Sequence, residues 1–205
     1  MSPAPLLEEQ CPHDQLDHLL HRNKAWATIT AIEDPDLFPE LVTDQKPKIL
    51  WIGCSDSRCP ETTLLHLKPG DVFVERNIAN ILHPDDKNSP AVIEYAVKHL
   101  EVEMIILCGH KDCGGVEAVY QEKELGPVLG SWLEPLKEVK QAHWRELEGL
   151  PEEKALIRLA ELNVLRGVEV LKGWGFVEEA MRGGLRIYGL LYDVGTGRLR
   201  ELVNI

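Results

Sequence analysis

The stretch Lys48-Ile49-Leu50-Trp51-Ile52-Gly53-Cys54-Ser55-Asp56-Ser57-Arg58-Cys59 joins a short apolar run to a polar, cysteine-bearing loop. A strand with one wet face alternates apolar and polar residues. Residues 48–53 show no such alternation, so they read as a strand buried on both faces of a parallel sheet. Val72-Phe73-Val74 reads as a second strand and Met104 to Leu107 as a third, and His110-Lys111-Asp112-Cys113-Gly114-Gly115 follows the third closely. Both cysteine segments therefore lie at carboxyl ends of strands, where the loops of an open α/β sheet collect ligands.

Helical patterns separate and follow these strands. Ser89-Pro90 reads as an N-cap with proline at the first helical position, and Ile93, Ala96, Val97 and Leu100 recur at helical spacing. Further helices are expected over Val116–Tyr120, over Trp132–Leu147, and from Pro151 towards Leu171. Asp14 to Ile32 reads as an amphipathic helical arm carrying Leu16, Leu19, Leu20 and Trp26, ended by Asp34-Pro35. Leu185–Val194, the turn Gly195-Thr196-Gly197, and Arg198–Val203 read as a closing hairpin. The expected fold is α/β: a mainly parallel β-sheet with an antiparallel edge strand, flanked by helices, with the N-terminal helical arm. Residues 1–14 read as a disordered tail and residues 15–205 as one domain.

The net charge of −12 is spread along the chain without a Lys- or Arg-rich block, which argues against nucleic acid and anionic membranes as partners. The longest apolar run, Met104 to Cys108, is far short of the roughly 20 residues that span a bilayer. The first residues lack a signal or transit pattern. Cys11, Cys59 and Cys108, left once Cys54 and Cys113 are set aside, form an odd set that suits a reducing compartment, so a cytoplasmic location is expected.

Cys54, His110 and Cys113 supply two sulfurs and an imidazole from two loops, a ligand set for zinc. Two thiolates balance the charge of the ion. The fourth ligand then decides the chemistry: water there is acidified towards a pKa of ~7, whereas Asp56 there closes the site. Arg58 is close enough in the loop to pair with Asp56 and draw it away.

These motifs resemble the β-class carbonic anhydrases of the fungal type, in which a Cys-x-Asp-Ser-Arg segment and a His-x-x-Cys-Gly-Gly segment hold zinc. The similarity extends through Trp51-Ile52-Gly53, Pro60-Glu61, Phe73-Val74, Arg76-Asn77-Ile78-Ala79-Asn80, Glu94-Tyr95-Ala96 and Glu161-Leu162-Asn163-Val164, and covers the chain from about Trp26 to Leu202. The resemblance implies one zinc ion per chain on Cys54, His110 and Cys113, with Asp56 as exchangeable ligand and Asp56 with Arg58 as catalytic dyad. The implied reaction is reversible hydration of carbon dioxide to bicarbonate and a proton, in a homodimer or dimer-based tetramer. Gly114-Gly115 reads both as a tight turn into the following helix and as a close approach of backbone to the substrate pocket. Trp51, Arg76 and Tyr192 match a second, regulatory bicarbonate site of some members, and Glu75, beside Arg76, is expected to weaken anion binding there.

Two other functions compete: a closed-site zinc protein acting as bicarbonate sensor, and a carbonyl sulfide or carbon disulfide hydrolase on the same fold. Redox pairing of Cys54 with Cys59, or of Cys108 with Cys113, lacks the Cys-x-x-Cys spacing. Cys59 and Cys108 read as small buried residues.

Overall fold

The computed structural model describes residues 12–83 and 86–205. They form two compact units, an arm that ends at Gln45 and a sheet unit, Lys46–Ile205. The arm carries helix α1 (Pro12–Glu33) and helix α2 (Leu37–Thr43), in contact through the edge of Trp26 on Phe38. Leu16, Leu19, Leu20, Trp26 and Ile29 are about half exposed. Of the expected tail, residues 1–11, with Cys11, lie outside the described residues, and α1 takes in the remainder.

The sheet unit holds five strands in the order β2-β1-β3-β4-β5: β1 (Ile49–Cys54), β2 (Val72–Asn77), β3 (Met104–His110), β4 (Arg186–Asp193) and β5 (Arg198–Asn204). The first four are parallel and β5 is the antiparallel edge. Side chains of a strand alternate between faces, and the cores follow that parity. Leu50, Ile52, Ile105, Leu107 and Ile187 face the main core, where helix α4 (Asn88–Lys98), helix α9 (Glu152–Gly173) and helix α10 (Gly175–Arg182) contribute. Trp51, Ile106, Cys108 and Tyr192 face the other side, in a smaller cluster fringed by half-buried Ile49, Val72, Val74, Met104, Tyr188 and Leu190.

Helix α9 approaches the sheet closely because two contact positions lack side chains. A Cβ on Gly109 would stand 2.7 Å from Cγ2 of Val164, and one on Gly167 would strike Leu107.

Two expectations need correction, and one helix has no counterpart among them. The helix over Trp132–Leu147 is three: α6 (Pro127–Trp132), α7 (Glu134–Ala142) and α8 (Trp144–Leu147). Pro135 has no N–H to continue a preceding turn, so the chain restarts at Glu134 with proline in the first turn. Ser89 is not the N-cap of α4. It lies inside the helix, and the Asp86 carboxylate accepts from the backbone N–H groups of Asn88 (3.1 Å) and Ser89 (3.0 Å). Helix α10 went unread, since eight residues with Val177 as the buried position carry little periodic signal.

Candidate metal centre

Cys54 is the last residue of β1 and His110 the last of β3, and these strands are neighbours. Cys113 stands three positions on, at the N-cap of helix α5 (Gly114–Tyr120). Cys54 continues the parity of Leu50 and Ile52, whereas His110 continues that of Ile106 and Cys108, so the two meet only past the ends of the strands. There the two sulfurs and a ring nitrogen lie within 4.8 Å of one another, all three residues buried.

The charges of this cluster are unbalanced in a telling way. A hydrogen bond from Cys113, outweighing burial, pulls the Cys54 thiol down to about 4, with help from His110. The same contact, together with burial, pushes Cys113 up. Burial opposes charging of His110, but the neighbouring Cys54 and Cys59 thiols prevail and raise it to about 10. Nδ1 lies 2.8 Å from the carbonyl of Lys111, to which it donates. That bond leaves Nε2 as the outward nitrogen, and Nε2 is buried with no hydrogen-bond partner of proper geometry. A buried nitrogen without a partner beside two sulfurs fits a borderline-soft cation.

Asp56 and Arg58 form a two-pronged pair: Nε donates to Oδ1 at 2.9 Å and Nη2 to Oδ2 at 2.7 Å, while the Arg58 backbone N–H also reaches Oδ1 at 2.9 Å. The side-chain bonds from Arg58 hold the Asp56 carboxyl well below the usual carboxylate range despite partial burial. Oδ2 lies 3.9 Å from Nε2 of His110. The carboxylate thus borders the ligand cluster with both oxygens engaged elsewhere.

Arg58 also donates to the carbonyl of Asp112 at 2.9 Å, which ties the two ligand loops together. Asp112 presents that carbonyl from a left-handed conformation, φ 57°.

Trp51, Arg76 and Tyr192 face the same side of the sheet, since Val74 pairs with Trp51 and Arg76 follows it by two positions. Trp51 and Tyr192 share the smaller cluster with Cys59 and Cys108. Arg76 is committed to the metal loop, donating to the carbonyls of Cys54 (2.9 Å) and Asp56 (2.6 Å), with Glu61 3.9 Å away. The expected effect of Glu75 on Arg76 is corrected: adjacent strand residues face opposite ways. Glu75 is buried where it accepts from Asn88 Nδ2 at 2.9 Å, with Ser89 Oγ at 3.5 Å. Gly114 opens α5 towards free space, while Gly115 admits Ala79, 3.0 Å from where its Cβ would be.

Three contacts at the site were not read from the sequence: Cys59 beside His110, the Asp112 carbonyl, and an ion pair between Lys111 and Asp193 at 2.7 Å. A cavity of about 480 Å³ bounded by Val119, Lys140 and Trp144 shares no residue with the cluster. Lys140 there is spent on the carbonyls of Val119 and Tyr120 and on Glu122.

Residues 49–199 match the carbonic anhydrase family. The chain is 36% identical over 189 residues to a carbonic anhydrase of Emericella nidulans, with 91% of this chain and 82% of that protein covered. It is 43% identical over 161 residues to one of Candida albicans, across 77% of this chain and 57% of that protein. Among solved structures, one of two tetrameric β-carbonic anhydrases of Sordaria macrospora superposes with a TM-score of 0.91 at 48% identity, covering 94% of this chain and 99% of that one. A β-carbonic anhydrase of Aspergillus fumigatus gives 0.89 at 52% identity, over 92% and 90%.

Proposed function

The chain belongs to the β-class carbonic anhydrases, of the fungal type, and from that premise we propose that Cys54, His110 and Cys113 hold one zinc ion per chain beside an Asp56–Arg58 dyad. The family's reaction, reversible hydration of carbon dioxide to bicarbonate and a proton, is this chain's activity. The observation that carries the ligand assignment is the buried Nε2 of His110, without a hydrogen-bond partner, aimed among two cysteine sulfurs.

Zinc bound there supplies a Lewis acid that lowers the pKa of water towards ~7 and gives a nucleophile near neutral pH. The chain's own groups do the rest. The Lys111 carbonyl accepts a hydrogen bond from Nδ1–H, which holds the ring so that Nε2 is the nitrogen left to face a metal. With a cation bound, both sulfurs would be held as thiolates. Arg58 engages both oxygens of Asp56 and so would keep that carboxylate off a bound metal. The remaining lone pairs of Asp56 are placed to accept a hydrogen bond from the attacking group and to orient it towards carbon dioxide. Arg76 fixes the carbonyls of Cys54 and Asp56, so the loop keeps its shape as charge develops.

The closed-site sensor is not favoured, because Asp56 would have to leave Arg58. Nor is carbonyl sulfide or carbon disulfide hydrolysis, since the matched relatives are named carbonic anhydrases.

Homodimers, or a tetramer built from them, are our reading of the assembly. The half-exposed apolar residues of α1 and the thinly covered Trp51 face of the sheet support it, as does the tetrameric Sordaria relative. No helix among the described residues is long and apolar enough to cross a membrane. The free thiols at Cys54, Cys59, Cys108 and Cys113 fit a cytoplasmic location.

Elemental analysis tests the metal reading: one zinc per chain is expected, lost together with carbon dioxide hydration in Cys113→Ser. A zinc-loaded, fully active Cys113→Ser protein would overturn the ligand set. A monomer of 23.1 kDa by light scattering across a wide concentration range would overturn the assembly.

A further inference from the structure

We propose that the Lys111–Asp193 ion pair is a positioning device for the His110 imidazole, through which the turn between β4 and β5 sets the aim of Nε2. The inference rests on the reading of His110 as a metal ligand. Lys111 lies between two of the three ligand positions, and its carbonyl is the acceptor for His110 Nδ1 at 2.8 Å. The orientation of a ligating imidazole follows from whatever holds that acceptor.

The Lys111 residue is held at two further points. Its N–H donates to the carbonyl of Tyr192 at 2.9 Å, continuing the β3–β4 ladder in which His110 pairs with Tyr192. Its ammonium reaches Oδ2 of Asp193 at 2.7 Å. Both anchors come from consecutive residues at the end of β4. These two anchors restrain the Lys111 backbone from both its N–H and its side chain, and so limit how far its carbonyl can swing from the ring.

Asp193 is itself fixed. Oδ1 accepts from the backbone N–H of Gly195 at 2.9 Å, and its carbonyl accepts from Thr196 N (3.2 Å) and Gly197 N (2.8 Å). The two carboxylate oxygens therefore divide their duties, Oδ1 shaping the turn and Oδ2 holding Lys111. The pair is a third to a quarter exposed, so water and salt weaken it without dissolving it.

That division designs the test. Asp193→Asn keeps an oxygen for Gly195 and removes the charge facing Lys111. Lys111→Met keeps the aliphatic stem and removes the ammonium from outside the turn, so it serves if the Asp193 variant folds poorly. In full-length protein loaded with cobalt(II), each variant is expected to change the intensity or position of the visible ligand-field bands. Zinc affinity should fall by up to about tenfold, because outright loss of a ligating histidine's outer partner costs about 10–100-fold and here the Lys111 carbonyl itself remains. Asp193→Glu, which retains the carboxylate, should restore most of both.

Wild-type cobalt spectra and zinc affinity in Lys111→Met overturn the positioning role. His110→Ala separates that failure from failure of the ligand reading: it should lose the metal whether or not the ion pair matters. Retention of metal with an unchanged spectrum in His110→Ala would instead overturn the ligand assignment itself.

Discussion

Replacing Gly109 by alanine tests the join between fold and site. Gly109 stands immediately before His110, and an added Cβ would lie 2.7 Å from Val164 Cγ2, 3.5 Å from the carbonyl of Ala160 and 3.6 Å from Asn80 Oδ1. Carbon atoms in contact prefer about 3.5–4.0 Å, so the overlap with Val164 approaches 1 Å. Val164 is fully buried and β-branched within a helix, which leaves it little rotamer freedom to escape. Either α9 or β3 must move. Overpacking of this kind costs about 1–3 kcal/mol, and each kcal/mol lowers Tm by about 2–4 °C in a chain of this size, so we predict a fall of about 2–12 °C. A companion variant, Val164→Ala, removes the obstructing methyl groups and costs about 2 kcal/mol on its own. If the clash is the cause, the double variant should melt near Val164→Ala alone, with a coupling of about 0.5–3 kcal/mol in the favourable direction. Thermal unfolding of the four proteins with zinc content measured alongside decides it. Strict additivity, or a Gly109→Ala protein that melts with the wild type, would refute the reasoning.

Arg58→Ala should retain zinc yet lose most carbon dioxide hydration, because it frees both oxygens of Asp56 beside His110; near-wild-type turnover in stopped flow would count against the dyad. Asp56→Asn should also keep zinc and lose activity, but without the acid ligand that closes the site in Arg58→Ala, a difference visible in cobalt spectra. Glu75→His should leave bicarbonate inhibition unchanged, since Glu75 and Arg76 face opposite sides of β2; a clear change in inhibition would refute that separation. Asp86 carries a pH prediction. The Ser89 backbone N–H foremost lowers its carboxyl in the folded chain, so its contribution is complete above the ordinary carboxylate pKa of ~3.9 and is lost as pH falls towards the lowered value. Asp86→Ala should therefore destabilise by about 1 kcal/mol at neutral pH and by little near pH 2, read from urea midpoints; an equal loss at both would show that the charge is irrelevant.

Much of the frame was legible because its signals are local. Runs without alternation at residues 49–53 and 104–107 mark interior strands, and the motifs at their ends name the candidate ligands. What stayed hidden depends on partners remote in the chain. Arg76 gives no sign that it will hold the carbonyls of Cys54 and Asp56, and Lys111 meets Asp193 across 82 positions. The orientation of Glu75 was different. Strand parity alone separates it from Arg76, and the expectation that it weakens anion binding there neglects that alternation. The breaks at Leu133 and His143 were obscured by apolar spacing that carries on across them, although Pro135 marked the first.

That Cys54 and His110 end adjacent strands, with β2 and α4 intervening in the chain, sets when metal can be captured. Within a zinc finger the ligands are near neighbours and metal uptake drives folding. Here the chelate does not exist until a crossover has been completed and β3 has docked on β1, a non-local pairing of the kind that forms slowly. An emerging chain that stops short of Cys113 would be a poor competitor for zinc. Loading should therefore be a late event: in refolding monitored with a chromophoric chelator, metal uptake should coincide with the final phase, and its extent should count correctly ordered sheets rather than collapsed chains.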